Sequence, residues 1–190
     1  MKPHELLGRK GAVCPFIDSA LRSGRISVNS IRVGHAGQTA ALRSAAEDGL
    51  SRIRNATNGD EFEAILFVPF GSTEDVLREV VVAVQDELRA ASIRRGCMIG
   101  VFHPDHPEPG VHSAVFRPLA SPRAILGIRT MVDADIRFLT APGASTTART
   151  HDVGIWQSFF AARAPQALLD IGMQAMADAE REGSGTGSRA

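Results

Sequence analysis

The sequence predicts an α/β (or α+β) fold: a small mixed sheet containing a βαβ unit, flanked by helices and followed by a C-terminal helical segment. Three observations predict it. Residues 62–103 read as strand, amphipathic helix and strand joined by short links, the pattern of a parallel pair with a helical crossover. A second alternating segment precedes that unit, and the last third of the chain carries helical periodicity. At 190 residues, with 44% hydrophobic and 22% charged side chains, the chain has the size and composition of one domain that needs no staples.

In chain order, Ile17 to Leu21 is a short amphipathic segment, and Ile26 to Val33 alternates as a half-buried strand does. Gln38 to Ile53 has helix-forming composition, weakened inside by Gly49. From Glu61 the alternation passes into the continuous apolar run of a buried strand, and Gly71-Ser72 turns the chain. Ser72 or Thr73 can cap the next helix, and Glu74 and Asp75 put negative charge on its first turn, where the dipole favours it. Val76, Leu77, Val80, Val81, Val84, Leu88 and Ala91 recur at spacings of three and four and give that helix one core face. Gly96 stops it, and Cys97 to Phe102 resumes as a second strand, parallel to the first. His103 to Gly110 is too rich in proline for regular structure.

Ala114 to Arg117 reads as a short strand, Ala124 to Arg129 as another, and Val132 to Leu139 as a helix. Ala141 to Ala148 is small, polar and glycine-containing, which predicts a flexible loop; Val153 to Ala162 resumes as helix, and Pro165 can open the last one. A single domain is expected over 1–182, with a disordered tail at 183–190.

Basic and acidic residues number 21 each, so no global field would hold nucleic acid or an anionic membrane. The start lacks the apolar run of a signal peptide, and no stretch reaches the roughly 20 residues of a membrane helix. A soluble, cytoplasmic protein is expected, with Cys14 and Cys97 as free thiols. Trp156, Phe159 and Phe160 read first as core and second as a homodimer interface.

Cys14 precedes a short helix, where a thiol can be acidified into a nucleophile or metal thiolate; the alternative is a small, inert hydrophobe. His103, Asp105, His106 and His112 form the densest group of ligand-type residues, on a loop leaving the carboxyl end of a strand, where open α/β sheets place ligands. His103 and His106 are the metal candidates of that group, although Pro104 and Pro107 forbid helical convergence. Arg129 follows an apolar run; drawn inward, it needs an anionic substrate or an ion pair with Asp133 or Asp135. No glycine-rich phosphate loop, nucleophile elbow, His-Glu-x-x-His helix or paired-cysteine zinc spacing is present.

The order Cys14-Pro15-Phe16, Phe102-His103-Pro104, Phe116-Arg117-Pro118-Leu119 and Ile128-Arg129, with Val132, Asp135 and Phe138-Leu139, resembles an uncharacterised bacterial family of unknown function, common in actinobacteria near specialised-metabolite genes. The Cys-Pro-Phe start and the late arginine and aspartate are also similar to haem-dependent N-oxygenases of amino acids, although this chain lacks their tryptophan-rich middle. That similarity implies a haem with His103 or Cys14 as axial ligand and the other shaping the pocket, and Arg117 and Asp135 stand as cofactor contacts. The sequence thus leads to a small-molecule enzyme of specialised metabolism with Cys14, His103 and Arg129 in one site, haem-dependent oxidation being its most specific form. The alternatives are a cofactor-free Cys14/His103 thiol enzyme and a non-catalytic accessory or ligand-binding protein.

Overall fold

The computed structural model describes residues 14–35, 38–53, 62–110, 113–141 and 145–185. Helix α1 (Ile17–Arg22) leads through a left-handed turn at Gly24 into β1 (Ile26–Arg32), α2 (Ala40–Arg52) and β2 (Ala64–Phe70). Then come α3 (Glu74–Arg94), β3 (Cys97–Phe102) and β4 (Ile125–Thr130). A 3₁₀ turn (Asp133–Asp135) runs into α4 (Ile136–Leu139), followed by α5 (Thr146–Phe160) and α6 (Gln166–Gly185). The mixed sheet with a C-terminal helical segment is the expected architecture.

The strand order is β1-β2-β4-β3, with β1 parallel to β2 and β4 antiparallel to both of its neighbours. β2 and β3 therefore run in the same direction, as their helical connection requires, but β4 lies between them. The reason is burial: β4 is covered along most of its length, and its apolar run suits the centre of a sheet better than an edge.

One sheet face is the core face. Alternation sends Ile65 and Phe67, Cys97, Ile99 and Val101, and Leu126 and Ile128 into a cluster with the apolar faces of α2 and α3. Gly49 is what lets α2 approach: a Cβ there would lie 3.0 Å from the Phe67 ring. A second cluster gathers α4, α5 and α6 around Trp156, which is fully buried and donates its indole N–H to the Asp133 carbonyl at 3.0 Å. The aromatic residues of α5 accordingly pack within the chain. The Arg89–Asp152 ion pair, 2.7 Å with Asp152 buried, ties α5 to α3.

Two local expectations are corrected. Ala114 to Arg117 forms no strand: Ser113 bridges only to Gly110, its hydroxyl takes the Phe116 N–H, and Arg117 folds onto the Ala114 and Phe116 carbonyls. These local bonds compete with a ladder. The loop expected through Ala148 ends earlier, because Ser145 accepts from the Ala148 N–H and starts α5 at Thr146. Helix α6 runs to Gly185. Among the described residues no helix is long and apolar enough to cross a membrane.

Candidate functional site

β3 ends at Phe102, and the next residue, His103, continues the inward alternation of Ile99 and Val101. Its backbone is clamped from two sides, the N–H donating to Leu119 and the carbonyl accepting from Ser121 and His106. The turn to His106 brings the second imidazole against the first, with ring centroids 4.9 Å apart and planes tilted by 44°. His103 is only 9% exposed, and its buried Nδ1 has no hydrogen-bond partner among the described residues. A buried polar nitrogen left in that state is costly.

A hydrogen bond selects the tautomer of His106. Its Nδ1 accepts from the Glu108 N–H at 3.3 Å, so the neutral ring carries its proton on Nε2. Burial, and then the neighbouring His103, hold its pKa below the ordinary value of 6.5. Around the pair, Arg78 of α3 reaches Asp105 at 3.7 Å and Asp75 at 3.2 Å, and Glu74 accepts from the Ala124 N–H. Of these contacts, Arg78–Asp105 joins the loop to the first turns of α3. The pair thus sits where the carboxyl end of β3 meets the start of a helix, a setting in which α/β sheets hold ligands.

Arg129 is elsewhere. The β3–β4 register pairs it with Met98, five residues before His103, and the β2–β4 register pairs it with Ala64. The two side chains are therefore about 16 Å apart along the strand and face opposite sides of the sheet. Arg129 grips Asp135 end-on, Nη1 to Oδ2 at 2.7 Å and Nη2 to Oδ1 at 2.6 Å, while Asp135 also accepts from the Val132 N–H. Burial acts to lower the guanidinium's pKa, but the Asp135 carboxylate, with help from Cys14 and Cys97, holds it above its usual value. The ring of Phe62 lies 5.9 Å from the guanidinium carbon, and Phe16 stacks on Phe62 at 5.3 Å. Cys14, two residues before Phe16 and close enough to act on Arg129, belongs to this end of the sheet.

The expected constellation is thus divided. Cys14, Arg129 and Asp135 meet at the start of β3, and His103 and His106 stand at its end. A single porphyrin cannot take one of Cys14 and His103 as ligand and be walled by the other, and no Cys14–His103 dyad forms. Asp135, 1% exposed and spent on Arg129, is an anchor and not a cofactor contact; Arg117 braces its own loop. Among the described residues no three His, Cys, Asp or Glu side chains converge as a metal site, and His112 lies outside those residues. An open cleft of about 460 Å³ between the C-terminal helices, with Arg149, Asp170 and Asp178 in its wall, contains neither imidazole nor thiol.

Residues 1–169 match the family described as Domain of unknown function (DUF6875). The chain belongs to that family. No curated protein and no solved structure matches it. Sequence reasoning singled out both histidines of the DUF6875 chain but not the separation of Arg129 from them. It also passed over Phe62 and Gly100, although a glycine inside a strand pattern calls for a reason.

Proposed function

We propose that this chain is a small-molecule enzyme whose acid–base chemistry is carried by His103 and His106. The observation that supports this most is the orphaned, buried Nδ1 of His103 beside a second imidazole held neutral at physiological pH. A neutral imidazole can take a proton from a bound substrate and, once protonated, return that proton later in the same turnover. Substrate would enter over the proline-rich loop and satisfy the orphaned nitrogen on binding. Asp105 and Arg78 position that loop. In the haem-dependent form of this reading His103 alone would be the ligand, and Cys14 would take no part.

The test uses wild-type protein, His103→Gln and Cys14→Ala. Glutamine retains a hydrogen-bonding amide without a titratable proton, so His103→Gln is expected to stay folded while failing to restore the phenotype of a strain deleted for the gene. Cys14→Ala is expected to restore it. A folded His103→Gln variant that restores the phenotype fully defeats the proposal. An absorption spectrum with a Soret band that vanishes in His103→Gln would convert it to the haem form.

A further inference from the structure

Glycine inside a strand loses more conformational freedom than any other residue and contributes no side chain, so it calls for a reason. Gly127 of β4 has one: a Cβ there would lie 3.1 Å from the Phe102 ring and 3.3 Å from Leu66. Its register partner Gly100 has none of the usual ones. Its φ is not positive, and a Cβ there would meet nothing within 4 Å. Among the described residues, what Gly100 preserves is room for a Cβ on the sheet face away from α2 and α3, between Met98 and Phe102, which share that face two residues to either side.

Arg129 rises from the same face, directly across from Met98. A guanidinium has five N–H donors. Two from Nη1 go to Asp135 and the Thr130 carbonyl, and one from Nη2 goes to Asp135. The Nε–H and the second Nη2–H, which together form the side-on fork that matches a carboxylate, have no partner among the described residues. Asp135 anchors the opposite edge and the Phe62 ring lies 5.9 Å from the guanidinium carbon, so the group is held in place while 29% of the side chain stays exposed.

We infer that this face holds a second ligand site, for a monocarboxylate with a flat apolar body. The carboxylate sits on the side-on fork of Arg129, and the body lies over Gly100 between Met98 and Phe102. Because Asp135 already balances the arginine's charge, recognition rests on hydrogen-bond geometry more than on net charge. The site does not depend on the histidine reading, since the two lie on opposite faces of the sheet.

The test is an NMR titration of the ¹⁵N-labelled full chain with 4-phenylbutyrate and, separately, with 4-phenylbutyramide. The acid is expected to shift the amides of Gly100 and Gly127 and the Arg129 Nε resonance saturably at millimolar concentration. The amide, unable to fill the fork, should bind roughly tenfold weaker or worse. Gly100→Val adds a side chain whose Cβ meets no described residue within 4 Å; it should melt no lower than wild type and lose the acid's shifts. His103→Gln should bind as wild type does. Equal responses to acid and amide, undiminished binding by Gly100→Val, or no shift at these residues would each overturn the inference.

Discussion

Replacing Asp135 with alanine tests how the Arg129 end of the sheet is held together. The carboxylate is 2% exposed in its side chain and accepts three hydrogen bonds, two from Arg129 at 2.6 and 2.7 Å and one from the Val132 N–H at 2.8 Å. Removing one partner of a buried pair costs about 3–5 kcal/mol, because the other charge is left uncompensated. Arg129 is partly open to water, which can solvate the freed guanidinium, so the low end, about 3 kcal/mol, is expected. For a chain of this size each kcal/mol lowers Tm by about 2–4 °C, giving a drop of about 6–12 °C. Urea unfolding with an unchanged m value is the assay. Asp135→Asn, which keeps an acceptor for the Val132 N–H but loses the charge, should fall between wild type and alanine. A loss below about 1 kcal/mol would show that the pair behaves like a surface ion pair and that Arg129 is not locked.

Three further outcomes follow from the same coordinates. Burial pushes the Cys97 thiol up to about 11, so at pH 8 only about one in a thousand is ionised; mass spectrometry after iodoacetamide treatment of native protein should find Cys97 unmodified, and modification there at the rate of a free thiol would contradict its burial. Gly49→Val drives a Cβ to 3.0 Å from Phe67 and 3.5 Å from Ile65 and should destabilise by about 1–3 kcal/mol through overpacking; unchanged stability would mean that α2 does not approach the sheet this closely. Because the pKa of folded His106 lies below its unfolded 6.5, its protonation opposes folding: its contribution is complete above pH 6.5 and is lost as pH falls from there through the folded value. His106→Gln should remove that part of the acid-side slope, and an identical slope in the variant would count against it.

Much of the fold was legible because period and punctuation agreed. Alternation marked β1, the three-and-four spacing marked α3, and Gly96 marked its end. Order within the sheet was not legible, since the sequence of β4 names no neighbour; its place between β2 and β3 is a property of the assembled sheet. Ala114 to Arg117 misled for the opposite reason, having strand-like composition that the Ser113 hydroxyl and the Arg117 guanidinium divert into local bonds. Of the site, His103 was legible because a strand end constrains its neighbour in position. The grouping of Cys14 with His103 failed because Arg129, six positions before its acid partner, lies on an antiparallel strand that carries it to the far end of the sheet.

The central claim is that His103 and His106 form one coupled pair, with His106 neutral at working pH. Long-range ¹H–¹⁵N spectra of the histidine side chains from pH 5 to 8 measure this directly. His106 should titrate below 6.5 with its neutral form protonated on Nε2, and its midpoint should rise in His103→Gln. A His106 midpoint at 6.5 that His103→Gln leaves unmoved would contradict the account.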